Sequence, residues 1–132
     1  MSRVPPHIRR LLESPLDSFE KLEIIRALCH ATAGTSSVHV LTLTTELPIQ
    51  VIAQALQELG AANIVASSGG LVRLIATGED AVAIRDLVEL YEADRALVAQ
   101  VLSERSMDRI RGMAARVFAE GFGPKKKPGD GR

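Results

Sequence analysis

Apolar residues recur at three- and four-residue steps along most of the chain, so helices are expected to dominate. Phe19, Leu22, Ile25, Leu28 and Cys29 share one face of a segment from Ser18 to Ala33, with Glu20, Lys21 and Glu23 elsewhere. Asp17 and Glu20 suit the positive end of that helix, Ser14-Pro15 reads as a turn or helix start before it, and Gly34 is its expected stop. Ser36-Ser37 resembles a cap for a short second helix ending near Thr45. Val38, Val40, Thr42 and Thr44 are β-branched and also suit a strand, so residues 38–45 stay open between the two. A helix is favoured there because Glu46-Leu47-Pro48 reads as a tight turn into a third helix, Pro48 to Leu59. Ile49, Ile52, Leu56 and Leu59 form its apolar stripe, and Gly60 is its expected end.

The period then changes. Two short apolar runs, Asn63–Ala66 and Leu71–Ala76, flank Ser67-Ser68-Gly69-Gly70, which has the composition of a hairpin turn. Thr77 caps a further helical pattern that is strong from Glu79 to Leu102, with a break expected at Ser103 or Ser106. A last helix is expected over about Met107 to Glu120, and residues 123–132 have the Gly, Pro and Lys content of a flexible tail. The fold class that follows is mainly α with a small β-hairpin.

Composition narrows the core. Apolar residues make up 46 % of the 132-residue chain and aromatics only 3 %, so Leu, Ile, Val and Ala must fill it. Cys29 is the sole cysteine, which rules out an intramolecular disulfide, and its place on an apolar helical face reads as a small core residue. No segment reads as a signal peptide or bilayer span, so a cytoplasmic protein without a membrane partner is expected.

Charge changes the picture more. The net charge is zero, yet residues 11–103 carry five basic and twelve acidic residues, and residues 104–132 carry eight basic and four acidic. The first ten residues add Arg3, Arg9 and Arg10 with no acid. An acidic body with basic ends matters because phosphate affinity depends on where the cations sit.

The order helix, helix, tight turn, helix, hairpin, helix over Ser18–Thr77 resembles the winged helix-turn-helix domain of small bacterial transcription regulators of the MarR and ArsR type. The stretch LPIQVIAQALQELGAANIVASSGGLVRLIAT carries the likeness, which covers a little under half of the chain. It implies a winged-helix domain at 17–77, after a basic N-terminal arm at 1–16 and before C-terminal helices at 78–120 and a flexible basic tail at 121–132. It also implies that the helix at Ile49–Leu59 enters the DNA major groove while the hairpin tip touches the backbone or minor groove. Gln50, Gln54 and Gln57 are then the candidate base readers, since glutamine pairs well with adenine. Ser67, Ser68 and Arg73 would serve the hairpin contact. Arg9, Arg10, Lys125, Lys126 and Lys127 would hold phosphates, joined by Arg105, Arg109 and Arg116 on one face of the last helix. Residues 49–59 contain no Lys or Arg, however, and Arg73 is the one cation between Arg26 and Arg85. The bland alternative for the glutamines is a solvated helix face.

Between residues 84 and 102 the apolar positions span two adjacent stripes, one with Ile84, Val88, Tyr91, Val98 and Leu102, the other including Leu87. A stripe that wide suits burial on one side and a second subunit on the other, so Ile84, Leu87, Val88, Tyr91, Val98 and Leu102 are candidate homodimer contacts. Asp94 and Arg95 interrupt the seam. His7, His30 and His39 have no metal-site spacing, no phosphate loop or nucleophile elbow is present, and no cofactor is expected. The expectation is a non-enzymatic dimeric DNA-binding regulator. The alternative is a protein-interaction module of the same fold that does not bind DNA through its third helix.

Overall fold

A computed structural model describes residues 4–104. The first element is one that the periodicity reading passed over. Helix α1, Pro6–Glu13, begins on a proline whose missing N–H is no loss in a first helical turn. Ile8, Leu11 and Leu12 lie three and four residues apart and are buried, and α1 packs on the long helix α5, Gly78–Ala93. His7 Nε2 lies 3.0 Å from Asp86 Oδ2 of α5. From Val4 onward, the segment expected as a basic arm is therefore folded, with Val4 and Leu16 also in the core.

Helix α2, Phe19–His30, starts where Ser18 Oγ accepts the backbone N–H of Lys21 at 3.3 Å. It ends at His30, three residues before the expected Ala33, and a 3-10 turn over Thr32–Gly34 leads into strand β1, Thr35–Ser37. Ser37 then caps α3, Val38–Thr45, by accepting the N–H of Val40 at 3.0 Å. Residues 38–45 are thus helix. Pro48 stands as the cap of α4, Ile49–Ala61, which runs through Gly60 rather than stopping there. Strands β2, Val65–Ser68, and β3, Leu71–Leu74, follow, so Ser67 and Ser68 belong to a strand and not to the turn. The turn is Gly69-Gly70 alone. Both have positive φ (57° and 80°), as the commonest two-residue hairpin loop requires.

The sheet has three strands in the order β1-β3-β2, all antiparallel. Strand β1 was not anticipated. Its three residues carry no alternating apolar pattern and become a strand only by pairing, Ser36 opposite Val72. Val65 and Val72 turn inward to one contiguous core shared with Ile25, Leu28, Ile52, Leu59 and Leu87. The described residues are therefore mainly helical with a small antiparallel sheet, and the chain up to Leu102 forms one compact unit. A second unit starts at Ser103, and the last helix expected from Met107 lies outside the described residues. Among the described residues, no helix is long and apolar enough to cross a membrane.

α5 stops at Ala93, well before the expected break. Asp94 leaves helical geometry, and its Oδ1 accepts the N–H of Leu97 at 3.1 Å as residues 95–104 turn helical again. The charge that interrupts the apolar seam is therefore a helix cap.

A polar network closes the seam between α2 and α5. The Tyr91 hydroxyl donates to Glu23, Arg95 stacks 4.6 Å above the Tyr91 ring, and Arg26 Nε donates to Glu92 at 2.9 Å. Burial, reinforced by the hydrogen bond to the Glu23 carboxylate, pushes the Tyr91 phenol up to about 12. A folded value above the unfolded one means that the proton is held more tightly in the native state. This contribution to stability is complete below the ordinary tyrosine range, near 10, and is lost as pH rises through about 12. Tyr91 is the chain's only tyrosine and there is no tryptophan. Tyrosinate absorbance should accordingly titrate as one late transition, and Glu23→Gln should move it to lower pH. A midpoint at the free-tyrosine value in the wild type would contradict this packing.

Candidate functional site

The surface that the resemblance singles out is built by α4 and the β2–β3 hairpin. Ile52, Ala55, Leu56 and Leu59 turn the inner face of α4 into the core, which leaves Gln50, Ala53, Gln54, Gln57 and Glu58 outside. Two hollows flank it. One, of about 500 Å³, lies between α4 and the hairpin tip and is lined by Ala53, Leu56, Gln57, Gly60 and the Ser67–Gly70 stretch, with Val38. It holds no charged residue. The other, of about 290 Å³, lies between α4 and the start of α2 and includes Gln50, Gln54, Lys21 and Glu58.

Among the described residues, Arg73 is exposed on β3 of this surface, whereas Lys21, the cation beside α4, is committed. Its Nζ lies 2.5 Å from Glu58 Oε1 and 2.9 Å from Asp17 Oδ1, with the side chain only 10 % exposed. Burial works against the ammonium, but the hydrogen bonds to Glu58 and Asp17 outweigh it and raise its pKa. Those to Lys21 and then Gln54 hold the Glu58 carboxyl below its usual range. Gln54 Nε2 donates to Glu58 Oε2 at 2.8 Å, so one of the three candidate base readers is tied into an ion pair that fastens α4 to α2.

Ser67 and Ser68 share a hollow with Gln57, but the remaining candidates are not brought to the glutamines. Ser67 sits opposite Val72 and Arg73 opposite Ala66, so successive positions send Ser67 and Arg73 to opposite faces of the sheet. Ser68 shares the face of Arg73 and sits opposite Leu71 of β3. Arg9 and Arg10 are exposed on α1, which packs on α5, whereas α4 packs on α2, α3 and β2. Lys125, Lys126 and Lys127 lie outside the described residues, as do Arg105, Arg109 and Arg116.

The candidate dimer contacts lie inside the single chain. Ile84, Leu87, Val88, Tyr91, Val98 and Leu102 are all at most 5 % exposed within the single chain. Both apolar stripes of the segment pack into the core of the chain, and α1 and α2 both pack on α5. Cys29 is corrected in the other direction. It is exposed, not a core residue, and partial desolvation, opposed by Arg85 and aided by Glu92, raises the pKa of its thiol. Among the described residues, no group of three or more His, Cys, Asp or Glu is placed to hold a metal ion.

What sequence reasoning missed is a set of exposed apolar side chains. Val40 and Leu43 lie three residues apart on α3, at 47 % and 66 % exposure. Ile49 opens α4 at 49 %, although its spacing placed it in the buried stripe. Leu71 begins β3 at 52 %, opposite Ser37, the cap of α3. The weak periodicity of Val38–Thr45, apolar on more than one side, was the available signal. Compared with family models, curated proteins and solved structures, the chain matches none.

Proposed function

We propose that residues 17–77 are a winged-helix domain that docks a protein partner through α3, α4 and the hairpin, in place of gripping DNA. The order α2, β1, α3, α4, β2, β3 with the sheet order β1-β3-β2 supports the winged-helix reading. One observation carries the docking reading: Arg73 is the one Lys or Arg in residues 27–84, and Lys21, beside α4, is already neutralised by Asp17 and Glu58. Phosphate contacts supply most of the affinity for duplex DNA, and a face with so few cations offers few of them. The same face presents Val40, Leu43 and Ile49 to solvent. Large exposed side chains of this kind, beside neutral glutamines, match a partner segment that is apolar and uncharged.

DNA recognition is the second reading, favoured by the same order of elements and by the basic residues at 105–132. Fluorescence anisotropy of the full chain with mixed-sequence duplex separates the two. The docking reading expects any binding at low salt to vanish near physiological salt and to be indifferent to Gln50→Ala and Gln57→Ala. Binding that persists at physiological salt and weakens about tenfold in either variant would establish base reading by α4 and overturn it.

A further inference from the structure

A third hollow, of about 380 Å³, lies between the end of α2, the Thr32–Gly34 turn, the end of β3 and α5. None of its lining residues comes from α4 or the hairpin turn, so it stands apart from the docking surface. The volume falls in the range of small-molecule sites. Leu28, Ile84 and Val88, all at most 5 % exposed, and the partly buried Leu74 give it an apolar floor.

Its charged groups differ in what they already hold. Glu92 is committed, receiving His30 at 2.5 Å and Arg26 at 2.9 Å. Arg85 and Glu89 line the cavity four residues apart on α5, and so on the same side of it. Among the described residues neither forms an ion pair, with the other or with any third group. One guanidinium and one carboxylate thus stand unpaired beside an apolar floor.

We propose that this cavity binds a small zwitterion with an aliphatic body, that is, a free branched-chain α-amino acid. Its carboxylate meets the planar fork of Arg85, its ammonium meets Glu89, and its side chain lies on Leu28, Leu74, Ile84 and Val88. A simple carboxylate would leave Glu89 unpaired and bring a third negative group beside Glu89 and Glu92. A simple amine would leave Arg85 unpaired.

Cys29 makes the proposal measurable, since it is the only cysteine, is exposed and lines this cavity. Its alkylation by N-ethylmaleimide is followed in the full chain with L-leucine, isovalerate or isoamylamine present. L-leucine at millimolar concentration should slow the reaction severalfold and saturably, and the two singly charged analogues should not. Arg85→Gln and Glu89→Gln, both at exposed positions, should each weaken the protection about tenfold while the circular dichroism stays unchanged. Absence of protection by L-leucine, equal protection by all three compounds, or protection indifferent to both substitutions would overturn the assignment.

Discussion

Leu87→Ala is expected to lower the unfolding free energy by about 2–5 kcal/mol, and by the same amount at every protein concentration. Leu87 is fully buried in the single chain, in one contiguous core with Ile84, Val88, Tyr91 and Val98. Truncation removes the transfer free energy of the lost methyl groups and leaves a cavity that packed helices fill only in part. The sequence alone allowed another role, because the wide apolar stripe of this segment suits a homodimer seam. A side chain at such a seam would give a stability that falls on dilution, since association and folding are then linked. Denaturant melts of wild type and variant across a hundredfold range of concentration decide the matter. A loss that shrinks on dilution would return Leu87 to a subunit interface.

The second large effect belongs to α1. Leu12→Ala is expected to lower stability by about 2–5 kcal/mol, again as a buried leucine truncated in a close-packed core. Leu12 is fully buried, and Ile8, Leu11 and Leu16 are buried with it. Had residues 1–16 been a solvated basic arm, the substitution would fall within about 0.5 kcal/mol of neutral, the usual range for surface changes. The same denaturant titration reads it out, and an unchanged midpoint would detach α1 from the folded unit. Arg9→Ala supplies the control on the exposed side of the helix and should leave the midpoint in place.

The two predictions share a cause. α1 and α2 both pack on α5, so apolar positions that a sequence pattern could offer to a partner lie in the core of the single chain. The signal was present in outline, since Pro6 at the start and Ile8, Leu11 and Leu12 at helical spacing make a short amphipathic helix. Eight residues are marginal as an isolated helix, so the segment depends on its partner surface. Much the same holds at the candidate site. Gln50, Gln54 and Gln57 were readable as the outer face of α4, because Ile52, Leu56 and Leu59 fix the inner one. That Gln54 is held by Glu58, and Glu58 by Lys21, involves a residue 37 positions away and leaves no local trace.

By itself the sequence determined most of the helices and their inner faces, the existence of the hairpin, and the absence of cations from residues 27–72. Those properties rest on period, on turn chemistry and on composition, all local in the chain. Only the tertiary structure decided that α1 is core, that Thr35–Ser37 is a strand, that Asp94 caps a helix and that Cys29 faces a cavity. It likewise decided which apolar side chains stay exposed, Val40, Leu43 and Ile49 among them. The reason is physical. Amphipathic spacing says that a face must be buried, whereas the surface that buries it comes from elsewhere in the chain, through contacts that no local pattern records.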